Sequence, residues 1–347
     1  MENGTARRAG LLCRMCSGRA ELHVSQECFI MSITLARSHT IYSVTAVESA
    51  QERARALKSP ELEAFYEDML EKGAERFVTT PSSTSALQPL YEDCPNFREV
   101  LDDLTRYLGL AIAGGAGVNV MPVLLLGDPG VGKTHFGKRL AAVLGTEFEF
   151  ISMNALSAGF VITGSSSTWK GAKCGKVAER LVRGKFANPV VLLDEVEKAT
   201  GSTQSDPMAA LYQLLEPETS RAFHDEFIDV DLDASQVFWV LTANSLEGIP
   251  PALLSRMAIY EVPSPTPDEA AGIARRVYIG LLRELKLQHV EEDLPDSVLD
   301  KLSAISPREM RKTLLDGLGF AVADGRTALV PEDVRLKSDA GRRRIGF

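Results

Sequence analysis

The stretch GDPGVGKT carries the strongest chemical signal in the chain. Its residues Gly127, Asp128, Pro129, Gly130, Val131, Gly132, Lys133 and Thr134 fit the spacing GxxxxGK[ST], after an apolar run and before a helix-forming segment. The glycines let backbone N–H groups curl around an anion at the positive end of a helix. Lys133 is expected at the β- and γ-phosphates of ATP, and Thr134 on a Mg²⁺ ion.

A second apolar run ends in VVLLDEVEK. Asp194, at the C-terminal edge of a parallel strand, lies where such sheets bind ligands, and is expected to share the Mg²⁺ with Thr134. Glu195, the next residue, suits the polarisation of an attacking water; helix capping is the plainer reading of both acids. Asn244 closes a third apolar run and can hold the water or the γ-phosphate. Arg256, between a short helix and a further strand, has the chemistry of an arginine finger, or of a surface salt bridge. Arg308 and Arg311 in SPREMRK stand near a helix start, and Arg308 is the preferred candidate to reach back to the nucleotide.

These residues need a scaffold that brings them together. The runs Pro122–Gly127, Asn188–Glu195 and Gln236–Asn244 read as buried parallel strands. Helical segments at Lys133–Leu144, Gly175–Arg183 and Pro207–Leu215 alternate with them, which argues for an α/β domain around a parallel sheet. Three prolines in VPSPTPDEA end that block, and the apolar spacing beyond it predicts a small all-helical domain. The organisation expected is a disordered extension over residues 1–50, a helical segment and linker over 51–92 with the linker at Thr79–Pro89, the α/β domain over 93–263, the helical lid over 264–337 and a basic tail over 338–347. Met31 is a candidate for the true start.

Composition narrows the classes. The 347 residues are 45% hydrophobic and 24% charged, with a net charge of −9, which speaks against nucleic acid as a partner. No stretch has the roughly 20 apolar residues of a membrane span, and a cytoplasmic location is the expectation. Cys13 and Cys16 form a CxxC near His23 and Cys28, but nothing around them supports a zinc site. Trp169 and its neighbours Lys170 and Gly171 lie in GSSSTWKGAKCGK, where a large ring sits among small residues. It is either a buried core tryptophan or a mobile contact.

Taken together, these motifs resemble the AAA+ ATPases, which are P-loop NTPases, and within them the ATPase module of Lon proteases. The Lon-like wording runs through Asp206–Pro263, and the resemblance covers about Cys94–Leu336. It implies that Asn244 is a sensor of the γ-phosphate, Arg256 the arginine finger and Arg308 the sensor arginine of the lid. It also implies a hexameric ring with ATP between subunits, and polypeptide gripped in the pore by an aromatic-apolar-Gly loop. Trp169, Lys170 and Gly171 hold that place, with Lys170 where an apolar residue is usual. Only about ten residues follow Leu336, and none matches Lon's Ser–Lys dyad, so no peptidase activity is expected.

The function expected is therefore an ATP-driven protein remodeller or unfoldase acting on protein substrates, with room for a separate protease or adaptor. Two alternatives stay open. One is a nucleic-acid ATPase in which Trp169 and Lys170 stack on a base and touch phosphate. The other is a nucleotide-switched scaffold that hydrolyses slowly.

Overall fold

The three apolar runs become adjacent strands of one parallel sheet, because each is covered on both faces and can satisfy its backbone only through its neighbours. The computed structural model describes residues 34–57, 59–154, 158–169, 171–199 and 207–336, all within one unit. The chain opens with β1 (Thr34–Thr40), α1 (Val44–Leu57), α2 (Pro60–Lys72) and β2 (Glu75–Pro81), with β2 antiparallel to β1. Pro60 sits in the first turn of α2, where a missing N–H costs nothing. After α3 (Gln88–Asp93) and α4 (Arg98–Gly114) comes β3 (Val123–Leu126), then α5 (Lys133–Leu144) and β4 (Phe148–Ser152). Helices α6 (Ala158–Thr163) and α7 (Lys176–Arg183) precede β5 (Val190–Asp194). Next are α8 (Pro207–Leu214), α9 (Pro217–Ser220), the short pair β6 (Phe223–His224) and β7 (Asp231–Leu232), and β8 (Phe238–Ala243). Helix α10 (Pro251–Leu254) and β9 (Ala258–Glu261) finish the α/β part.

The main sheet runs β4-β5-β8-β3-β9, all parallel. Because β8 lies between β5 and β3, the C-terminal ends of the three chemistry-bearing strands emerge side by side. Hydrophobic side chains cover both faces, with Phe136 and Leu140 among those on one and Leu193, Leu211 and Leu241 among those on the other.

Beyond β9, Thr266 and Glu269 form a reciprocal capping box that starts α11 (Pro267–Leu285). With α12 (Asp296–Ser303) and α13 (Pro307–Ala323) it encloses a separate small core around Tyr278, Leu299, Met310 and Leu314.

The N-terminal third corrects the sequence reading. From Thr34 onward the presumed extension is ordered, and Ile41, Tyr42, Val47, Phe65 and Met69 belong to the same core as Leu181 and Trp239. The stretch at 79–89, read as a linker, begins as the end of β2. The Asn188 side chain there accepts from Thr79 N–H at 3.0 Å and donates to Thr79 O at 2.8 Å, so polar residues are buried without an unpaired backbone. Arg76, also buried, donates to the carbonyls of Gly73, Glu75, Leu181 and Val182, tying β2 to the end of α7. The CxxC, Lys170 and the basic tail lie outside the described residues.

Candidate active site

The loop between β3 and α5 turns tightly because Gly130 and Gly132 take φ of 93° and 108°, a region that side chains with a Cβ avoid. That turn aims the first N–H groups of α5 into a cleft of about 830 Å³. Pro129 through Thr134 line it, with Asp194, Glu195, Asn244 and Arg308. Gly127 and Asp128 contribute carbonyls, both accepting from Lys133 Nζ.

Lys133 Nζ also donates to Asn244 Oδ1 at 3.0 Å. Burial depresses its ammonium below the ordinary value, offset by Glu197, Asp194, Asp128 and Glu195. A buried cation with only neutral oxygens bonded to it is poised for a polyanion, so the site fits a nucleotide phosphate chain.

Thr134 Oγ1 donates to Asp194 Oδ1 at 3.3 Å, a long bond that a cation can replace. A hydroxyl and a carboxylate are hard oxygen donors of the kind Mg²⁺ takes beside phosphates and water. Thr242 Oγ1 donates to the same Asp194 oxygen at 2.7 Å and accepts from Glu195 N–H at 3.0 Å. Glu195 itself has φ of 58°, unusual for a residue with a side chain, and the Thr242 bond helps hold it there. Its carboxylate oxygens bond Lys198 at 2.5 Å and Asn154 at 3.1 Å. The Lys198 bond is the main reason it stays below the usual carboxylate range.

Asn244 is held from behind. Glu197 Oε1 accepts from its backbone N–H at 3.1 Å and its side-chain Nδ2 at 2.9 Å. Sequence reasoning overlooked Glu197, Thr242 and Asn154. Thr242 left a signal, as a polar residue within FWVLTA, whereas Glu197 looked like one more acid in VVLLDEVEK.

The lid closes one side. A Cβ on Gly130 would stand 3.3 Å from Ser306 Oγ and 3.7 Å from Arg308 Cβ, so the start of α13 sits over the phosphate loop. Arg308 forms no ion pair among the described residues, whereas Arg311 is engaged by Glu284 at 2.7 Å. At the far wall, Asp93 accepts from Arg139 on α5 and lies 3.7 Å from Arg276 on α11. Asn96 Nδ2 donates to Val131 O at 3.2 Å and Pro263 O at 2.9 Å.

Arg256, Trp169 and Gly171 are not at this cleft. Arg256 pairs with Glu216 at 2.6 Å and lies over the Tyr212 ring at 5.4 Å, beside a separate hollow. Trp169 is 51% exposed, touching Phe160 edge-on at 5.5 Å between ring centres. The buried-core reading fits the other tryptophan, Trp239, and not this one. Next to Lys170, Gly171 has φ of 83° and open space around it.

Comparison with known proteins agrees with this layout. Residues 123–263 match the family described as "ATPase family associated with various cellular activities (AAA)". A Lon protease of Nitrosococcus oceani is 38% identical over 180 residues, covering 51% of this chain and 23% of that protein. Lon protease of Mycolicibacterium smegmatis is 34% identical over 245 residues, covering 67% and 31%. The chain thus spans less than a third of the length of these relatives. In fold it is similar to a closed-state cryo-EM reconstruction of Hsp104 with ATPyS and FITC casein, at a TM-score of 0.55, 15% identity, and coverage of 83% of this chain and 56% of that one. No helix among the described residues is long and apolar enough to cross a membrane. Residues 123–263 thus match the AAA ATPase family, and between half and two thirds of the chain resembles a part of Lon proteases.

Proposed function

We propose that this chain is an ATP-hydrolysing motor that remodels or unfolds polypeptide as a ring, most simply of six copies, with no peptide-bond cleavage assigned to the residues described. The observation that carries the reading is Trp169: an apolar ring half in solvent on a glycine-rich loop, outside the lining of the nucleotide cleft. An aromatic ring buries much area at low entropy cost, which suits contact with varied side chains.

In this reading Lys133 and the N–H groups of residues 130–134 hold the phosphates. Mg²⁺, held by Thr134 and Asp194, would neutralise charge on the β- and γ-oxygens. Glu195 orients the attacking water once Lys198 or Asn154 releases an oxygen of its carboxylate. Asn244 holds the same water or the γ-phosphate. Arg308 reaches the phosphates from the lid. Arg256, turned away from its own cleft, serves the ATP of a neighbouring copy. A separate protease or adaptor is a compatible partner.

The test is ATPase stimulation by casein, a largely unfolded polypeptide. Trp169→Ala is expected to abolish the stimulation while fluorescent-nucleotide binding persists. Stimulation equal to that of the wild type would sink the reading.

A further inference from the structure

The loop that carries Trp169 leaves α6 and enters α7, and its two ends touch. A Cβ on Gly175 would fall 2.0 Å from Ile162 O and 2.7 Å from Gly164 N, so the neck admits no side chain there. Above the neck, Ser165 N–H donates to Lys173 O at 3.1 Å, and Lys173 N–H donates to Ser165 Oγ at 3.3 Å. Near the tip, Ala172 N–H donates to Trp169 O at 3.1 Å, and Trp169 N–H to Ser166 O at 2.9 Å.

A residue from elsewhere clamps this neck. Asp225, just after β6, has no exposed surface. Its Oδ2 accepts from Gly175 N–H at 2.8 Å, while Oδ1 accepts from Phe227 N–H at 3.0 Å and Ile228 N–H at 3.3 Å. Gly164, with φ of 76°, packs its Cα side against the same carboxylate: a Cβ there would lie 2.7 Å from Oδ1. The adjacent Glu226 N–H donates to Thr163 O at 2.7 Å. Gly175 is the N-cap of α7, and Asp225 accepts from its backbone N–H as the N3 carboxylate of a capping box would, a part the methyl of Ala178 cannot play; its charge favours that helix end.

We propose that Asp225 is the positioning residue of the Trp169 loop. It joins both ends of the loop to the segment around β6 and β7, so that a load on Trp169 passes into α7 and that segment instead of pulling the loop open. This rests on the reading of Trp169 as a polypeptide contact, but the geometry of the neck does not.

Asp225→Asn keeps the volume but exchanges one acceptor oxygen for an NH₂ group. That group must face either Gly175 N–H or the pair at Phe227 and Ile228, donor against donor. Gly164→Ala attacks the neck from the other side and keeps the carboxylate. Both are compared with wild type and Trp169→Ala in two measurements. The first is casein-stimulated ATPase, scored against each variant's own basal rate. The second is the fluorescence anisotropy of Trp169, obtained by subtracting the Trp169→Ala spectrum to remove Trp239.

Both neck variants are expected to lower Trp169 anisotropy and to raise the casein KM about tenfold, with less change in the stimulated kcat. If Asp225→Asn does not fold, Gly164→Ala decides alone. Unchanged anisotropy and unchanged casein KM, in a protein where Trp169→Ala abolishes stimulation, overturn the inference and leave the motor reading standing. A fall in basal rate with neither of the two readouts moving marks a merely structural role and also overturns it. If Trp169→Ala leaves stimulation intact, the motor reading fails, and anisotropy alone judges the clamp.

Discussion

Lys133 and Asn244 are joined across the cleft by a 3.0 Å hydrogen bond from Nζ to Oδ1. The bond links the phosphate loop to the end of β8, and a nucleotide phosphate must compete with it. Asn244→Ala is expected to lower kcat about 10²-fold with a much smaller effect on the ATP KM. Steady-state kinetics check this, and a change confined to KM would contradict it.

Glu197 fixes which way the Asn244 amide faces, since Oε1 holds Nδ2 and leaves Oδ1 toward Lys133. Glu197→Ala should therefore cost about tenfold in kcat and be non-additive with Asn244→Ala. A double-mutant cycle measures the coupling; fully additive losses would separate the two residues.

Arg256 is expected to act between copies. Arg256→Ala should lower turnover about 10³-fold without loss of nucleotide binding. Mixing it with Lys133→Ala protein should recover activity, because some interfaces then pair an intact cleft with an intact Arg256. Mixtures no more active than either parent would overturn the action of Arg256 between copies.

Burial pushes the Asp225 carboxyl up from 3.8 to about 6, against the three N–H groups that bond it. His224, Cys174 and Tyr66 are its titratable neighbours. Because the folded value is raised, the folded state holds this proton more tightly than the unfolded chain. The contribution to stability is complete below about pH 4 and is lost as pH rises through about 6. Between pH 5 and 7 the wild type should lose about 1 kcal/mol more stability than Asp225→Asn. Urea unfolding at both pH values tests this, and parallel pH profiles would contradict it.

Arg76 donates to four backbone carbonyls, so its loss leaves buried acceptors unpaired. Arg76→Met is expected to destabilise the fold by about 3 kcal/mol in chemical denaturation.

Much of the site was legible because its residues stand where apolar runs end. Asp194 and Asn244 each follow such a run, and Lys133 opens a helix of clear spacing, so local pattern and chemistry agreed. The N-terminal strand was illegible for a physical reason. Leu35–Thr40 of β1 is almost wholly exposed on a two-stranded ribbon and shows no alternation of apolar and polar residues. The Thr79–Pro89 stretch misled by composition, since the backbone of Thr79 pairs with the side chain of Asn188, over a hundred positions away. Glu197 and Asp225 act through partners about fifty residues distant, a kind of relationship that spacing does not encode.

The Asn96 side chain, bonded to Val131 O and Pro263 O, fastens the phosphate loop to the tether from which α11 departs. Any turning of the helical lid therefore has a fixed pivot beside the phosphates. Helix α11 has 19 residues, which makes it a lever arm of about 28 Å. A tilt of about 10° at the pivot sweeps its far end through about 5 Å, while atoms at the pivot hardly move. The cleft can thus keep its grip on a phosphate chain while the outer end of the lid makes a stroke large enough for a neighbouring molecule to feel.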